Sequence, residues 1–133
     1  MKKKRPQCGL ILENARGEIL LQLRDTNPSI PYPDCWGTFG GEIEEGESPV
    51  QAIVREIQEE LGYRLEEPEH YAVFRFDGYD IYMFRKKDPT ISLEQLVVTE
   101  GQRGAFFSRE RTPGLRYAFN CRMIVEDYFS RMK

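Results

Sequence analysis

The chain has 133 residues, enough for one domain with a buried core and too few for two. An apolar fraction of 40% and an aromatic fraction of 12% exclude a disordered polymer. The formal charge is −3 although Lys2–Arg5 contributes four positive charges, so the body is acidic; that disfavours a nucleic-acid backbone as partner and admits a polyphosphate only where divalent cations reverse the local sign.

Residues 1–6 read as a flexible basic tail, solvated and not a DNA-binding arm. The apolar run Cys8–Leu12 is too short for a signal-peptide core, and no later stretch has the length of a membrane span. Cys8–Leu12 and Ile19–Arg24 flank the turn formers Asn14 and Gly17 and predict a hairpin. Asp25–Asp34, with Pro28, Pro31 and Pro33, is an irregular loop, because prolines at that density suit neither a helix interior nor a central strand. Loops of that length in a compact domain are commonly functional. Trp36–Phe39 leads into Gly40-Gly41, and a polar loop is expected from there to Glu47.

Pro49–Leu61 is predicted to be a helix. Ser48 suits the N-cap, Pro49 the first helical position, and Gln51 completes an S-x-x-Q capping box. Gly62 is placed to end the helix in a left-handed conformation. Val50, Ile53, Val54, Ile57 and Leu61 form the expected apolar stripe. His70–Phe76 and Tyr79–Arg85 read as strands around an Asp77-Gly78 turn, and Gly104–Phe107 as a further strand. Arg116–Met132 is expected to be a second amphipathic helix with Ile124, Tyr128 and Met132 facing inward. Cys8, Cys35 and Cys121 form no CxxC pair or zinc spacing, and His70 has no partner motif, so a reduced, cytoplasmic protein is expected.

On a helical wheel at 100° per residue the apolar positions of the first helix fall within roughly 60° of one direction. Glu56, Glu59 and Glu60 are expected together on the opposite side, with Arg55 at the edge. A solvated acidic face is the ordinary explanation. Against it, Glu56 and Glu60 are like charges at i, i+4, and Glu59 and Glu60 lie in the last turn, where the helix dipole disfavours anions by roughly 0.3–1 kcal/mol each. A hard dication bound by oxygens would turn that repulsion into affinity.

Gly41, five residues, Glu47, seven residues, then Arg55-Glu56-Ile57-Gln58-Glu59-Glu60-Leu61-Gly62-Tyr63 resembles the Nudix box, GX5EX7REUXEEXGU, where U is a bulky aliphatic. Every fixed letter is matched; Tyr63 departs from the second U. Trp36–Gly41 resembles the strand and loop before the box, with Thr38-Phe39 where many members carry Phe-Pro. Thr99-Glu100-Gly101-Gln102 resembles a loop of small MutT-like members that supplies a further metal-binding glutamate.

The resemblance implies an α/β fold, an α/β/α sandwich with a mixed β-sheet between helices, spanning residues 1–133 as one domain. It implies a pyrophosphohydrolase using Mg²⁺, with Mn²⁺ as substitute, and water attack at phosphorus. Metal ligands are expected at Gly40 (carbonyl), Glu56, Glu59, Glu60 and Glu100. Glu56 and Glu60 are both candidates for the base, and Arg55 and Glu47 for an ion pair that orients the helix. Arg24 is expected near the phosphates, Asn120 at a purine edge, and Phe76, Phe74 or Tyr82 stacked on a base. The expected substrate is a nucleoside triphosphate, oxidised purines such as 8-oxo-dGTP included. ADP-ribose, a nucleotide sugar, a dinucleoside polyphosphate or capped RNA is the alternative, and a Nudix-fold nucleotide sensor without turnover the rival from another class. Neither DNA nor a membrane is an expected partner; a homodimer is left open.

Overall fold

In the computed structural model, which describes residues 5–132, the chain runs β1 (Gln7–Glu13), β2 (Ile19–Leu23), β3 (Trp36–Gly37), β4 (Phe39–Glu42), α1 (Pro49–Leu61), β5 (Glu69–Phe76), β6 (Tyr79–Lys87), β7 (Arg103–Phe107) and α2 (Cys121–Arg131). Most of the expected basic tail, residues 1–4, lies outside the described residues, and Arg5 and Pro6 are exposed.

The described strands form one mixed sheet in the order β3-β2-β1-β6-β5, with β4 paired to β1 and β7 to β2. β1 runs parallel to β6, Cys8 opposite Tyr82 and Leu12 opposite Lys86, and antiparallel to β4, Gly9 opposite Gly40. A strand covered on both faces has no polar side, which is why Cys8–Leu12 of β1 carries no polar side chain between Gln7 and Glu13. Cys8, Leu10 and Leu12 join the core under α1, with Phe39, Ile53, Ile57 and Leu61. Ile11 joins the other core, under α2, with Leu21, Met83, Ile124 and Tyr128. The result is the expected α/β/α sandwich, and among the described residues no helix is long and apolar enough to cross a membrane.

The first hairpin forms as expected. Asn14 Oδ1 accepts from the Arg16 and Glu18 amides, each at 3.0 Å, and Gly17 takes φ 74°. The α1 capping box also forms: the Gln51 amide donates to Ser48 Oγ at 3.2 Å, and Gln51 Oε1 accepts from the Ser48 amide at 2.8 Å. Gly62 ends the helix at φ 63°, donating to the Gln58 carbonyl at 3.0 Å.

Three expectations need correction. The polar loop after Phe39 begins later than expected, because Gly40, Gly41 and Glu42 continue β4 by pairing with Gly9, Cys8 and Gln7. The second helix starts at Cys121, not Arg116. Residues 116–118 are held beside Trp36, whose amide donates to the Arg116 carbonyl at 2.8 Å while the Ala118 amide donates to Trp36's carbonyl at 2.8 Å. Backbone groups committed to that pairing cannot close helical turns. On α1 the buried face is rotated from the expected stripe: Val50 and Val54 are exposed, whereas Ala52, Ile53, Ile57, Leu61 and Glu60 are buried.

Candidate active site

That rotation puts a carboxylate inside the protein. Glu60 lies 20° from Ile53 on the wheel, not opposite it, and only 4% of its surface reaches solvent. Its Oε1 accepts from the Gly40 amide at 3.0 Å, joining the C-terminal turn of α1 to β4. Gly40 has φ 151°, and a Cβ there would sit 2.0 Å from the Cys8 carbonyl oxygen, so no side chain fits between β4 and β1 at this point. Burial is the main cause that pushes the Glu60 carboxyl up to about 9; the neighbouring carboxylates of Glu100 and Glu56 add to it, and the Gly40 amide opposes it.

Glu56 stands against Gly41. A Cβ at Gly41 would meet both carboxylate oxygens of Glu56 at 2.7–2.8 Å. Its carboxyl is also raised, by burial first, with the Arg55 guanidinium opposing. Arg55 gathers the acids around it. Nε and Nη2 donate to the two Glu47 oxygens at 2.7 and 3.0 Å, Nη1 to Glu56 Oε1 at 2.9 Å and to Glu59 Oε2 at 3.4 Å, and Nη2 to the Glu42 carbonyl at 3.2 Å. The two-pronged bond to Arg55 holds Glu47 down to about 2. Arg55 thus ties the loop before α1 to the acidic side of the helix.

Glu100 arrives from a loop clamped to the end of α1. The Thr99 amide donates to the Glu60 carbonyl at 3.0 Å, and Thr99 Oγ1 to the Glu59 carbonyl at 3.0 Å. Gln22 Nε2 holds the Glu100 carbonyl at 3.0 Å. These bonds satisfy carbonyls that the helix end leaves open, and they set Glu100 beside Glu60. Among the described residues no three acidic, histidine or cysteine side chains converge in a formed cation cage. Glu56 and Glu59 lean onto Arg55, while Glu60 is held on the Gly40 amide. Carboxylate and carbonyl oxygens are the donors a hard dication takes, and Glu60, buried and raised with Glu100 and Glu56 as neighbours, lies beside the Gly40 backbone.

A cleft of about 340 Å³ opens beside Glu60 and Glu100, while Glu47, Arg55, Glu56 and Glu59 are not in its lining. Gly40, Gly41, Glu60 and Glu100 line it together with Arg24, Phe119 and Asn120. Asn120 Nδ2 donates to the Tyr79 hydroxyl at 3.1 Å, which fixes the amide's orientation. Arg24 Nε donates to the Pro31 carbonyl at 3.1 Å. Phe76 departs from expectation: it stacks on Phe74 and packs against Tyr79, outside the cleft lining. Phe74 belongs with it to the α2-side core, and Tyr82 packs on the α1-side core.

A family model described as NUDIX domain matches residues 3–112. The chain belongs to the Nudix family. An uncharacterised Nudix hydrolase of Listeria monocytogenes is 32% identical over 107 residues, covering 77% of this chain and 63% of that protein. The 8-oxo-dGTP diphosphatase of Escherichia coli is 37% identical over 84 residues, covering 60% of this chain and 57% of that one. The alignments thus take in less than two thirds of either relative's length. Among solved structures, a MutT from a study of the Aliivibrio salmonicida and Vibrio cholerae proteins matches with TM-score 0.78 at 26% identity, covering 96% of this chain and 99% of that one.

Within this Nudix fold, the residues that sequence reasoning missed are those that hold others in place. Gln22 is two residues before Arg24 along the same strand direction, so period-two spacing was a usable signal for it. Gln102 Nε2 donates to the Arg24 carbonyl and to Asp34 Oδ1, each at 2.8 Å, and joins the Glu100 loop to the Asp25–Asp34 loop. No local pattern announces a bond across 68 residues.

Proposed function

We propose that the chain is a Mg²⁺-dependent pyrophosphohydrolase acting on a nucleoside triphosphate and releasing monophosphate and pyrophosphate. The observation that carries this reading is Glu60: a buried carboxylate at the wall of the cleft, fixed on a backbone amide and crowded by Glu100 and Glu56. Ionised, such a group has no use in the fold beyond its bond to the Gly40 amide, since burial makes its charge costly and neither neighbour relieves it. Next to a polyphosphate it has one, because the substrate's own charges repel a nucleophile until cations neutralise them. Glu56, Glu59, Glu60 and Glu100, with the Gly40 carbonyl, are the residues that would hold Mg²⁺. A cation bound there would supply Lewis-acid chemistry, polarising the phosphoryl oxygen and acidifying the attacking water.

The chain's own groups then divide the work. Water forms a new bond to phosphorus, the phosphoanhydride bond breaks, and the proton passes to a carboxylate, Glu56 and Glu60 being the two candidates. Arg55 and Glu47 orient the helix that carries them. Arg24 supplies positive charge to the phosphates. Asn120, its amide oriented by Tyr79, offers paired donor and acceptor groups to a purine edge. The E. coli 8-oxo-dGTP diphosphatase among the relatives supports including oxidised purines in the substrate class.

Incubating the purified protein with Mg²⁺ and a panel of nucleotides, ADP-ribose and dinucleoside polyphosphates included, tests the reading. Nucleoside triphosphates should yield monophosphate and pyrophosphate, and Glu59→Gln or Glu60→Gln should slow the reaction by orders of magnitude without loss of fold. A folded protein silent across the panel, or near-normal turnover in those variants, contradicts it.

A further inference from the structure

Three residues other than glycine near the cleft mouth occupy the left-handed region: Tyr32 at φ 51°, Asp34 at φ 58° and Phe119 at φ 50°. For bulky side chains this backbone is costly, and such strain persists where the surrounding structure enforces it. Burial of apolar surface does not explain it, because Tyr32 and Phe119 are each 50% exposed. The two rings meet at 4.8 Å between centroids, tilted by 55°. The guanidinium of Arg24 lies over the Phe119 ring at 5.1 Å from its centroid, while Arg24 Nε is taken by the Pro31 carbonyl. Arg24 is therefore held from two directions, and among the described residues its Nη1 and Nη2 make no hydrogen bond or ion pair. An oriented guanidinium without a carboxylate, on the wall of the cleft, is prepared to receive an anion.

We infer that Phe119 is a positioning residue: its ring, braced by Tyr32, holds the Arg24 guanidinium ready for the phosphates of the substrate. This rests on the proposed nucleotide hydrolysis and adds to it a residue that touches neither metal nor reacting phosphorus. The strained backbone at 119 is what presents the ring under Arg24. The ring's contribution is electrostatic as well as steric, since an aromatic face attracts a cation and an aliphatic side chain of similar bulk does not. Phe119 thereby acts on binding of the charged substrate and leaves the chemical step alone.

The test is a set of kinetic constants, with Mg²⁺ and the best nucleotide of the panel, for Phe119→Leu, Phe119→Tyr, Arg24→Ala and the Arg24→Ala/Phe119→Leu double variant. Folding is checked by thermal denaturation of each. Phe119→Leu should raise KM about 5- to 20-fold, the range a partly desolvated cation–π contact allows, with kcat within about threefold. Phe119→Tyr keeps the aromatic face and should restore KM to within about threefold. In the Arg24→Ala background, Phe119→Leu should change KM by less than about twofold, because the group it positions is gone. A Phe119→Leu effect that falls on kcat, that tyrosine does not rescue, or that persists undiminished without Arg24 overturns the assignment while leaving the proposed function standing. A wild-type protein that hydrolyses no nucleotide overturns both.

Discussion

Replacing Glu60 by Gln removes a titrating group from the site while keeping its size and the acceptor for the Gly40 amide. The consequence can be worked from the carboxyl's pKa, about 4.5 unperturbed and about 9 in the fold. A carboxyl raised in this way binds its proton more tightly in the native state than in the unfolded one. Its stabilising contribution is complete below about pH 4.5 and is lost as the pH climbs through 9. Between pH 7 and 9 that loss amounts to roughly 2 kcal/mol, or a fall in Tm of about 5–10 °C for a chain of this length. Glutamine cannot ionise and lacks this slope. Calorimetric melts in EDTA across this range should therefore show the wild type losing ground to Glu60→Gln as the pH rises. Adding Mg²⁺ at pH 9 should recover the wild type and help the variant much less, since a ligand that binds only the native state raises Tm. Parallel Tm–pH curves for the two proteins without metal would refute the idea that the fold holds Glu60 as a buried, proton-retaining acid.

Two further substitutions separate chemistry from folding. Gly41→Ala places a methyl group against the Glu56 carboxylate, which can swing away at little cost in stability. Steady-state assays should find turnover reduced by about 100-fold, the scale of an ångström-sized misplacement, with Tm shifted only slightly. Tyr128→Phe does the reverse. Tyr128, fully buried, donates to Glu13 at 2.6 Å in the core beneath α2, and its loss leaves the Glu13 carboxylate short of a donor. Urea denaturation should register a loss of about 1–3 kcal/mol, with activity per folded molecule unchanged.

The parts of the fold legible in the sequence are those whose cause is local. The α1 bounds follow from Ser48, Pro49, Gln51 and Gly62, each acting on its own turn of backbone. The hairpins follow from Asn14, Gly17 and Asp77-Gly78 in the same way. The misplacements occur where a distant partner decides. The helical spacing of Ile124, Tyr128 and Met132 does not reach back to residues 116–118, which pair with Trp36. Val50 and Val54 are apolar yet face outward, because the sheet packs against the side of α1 that carries Glu60. Three glutamates expected together opposite the apolar stripe are in different surroundings, Glu59 exposed, Glu56 half-buried and Glu60 inside, because Glu60 lies only 20° from the buried Ile53 on the wheel. Phe76 has the composition of a stacking residue, but its ring packs on Phe74 of the same strand and on Tyr79 across the turn. The Nudix resemblance located the acidic helix and the Glu100 loop; the bonds from Thr99, Gln22 and Gln102 that bring them together became visible only in three dimensions.

The proposed hydrolysis depends most directly on uptake of divalent cations by these carboxylates. Isothermal titration of the wild type with Mg²⁺ and with Mn²⁺, alone and with a non-hydrolysable nucleotide, should show binding that strengthens when the nucleotide is present and is lost in Glu60→Gln. No heat of binding under any of these conditions, or equal binding by the glutamine variant, would contradict it.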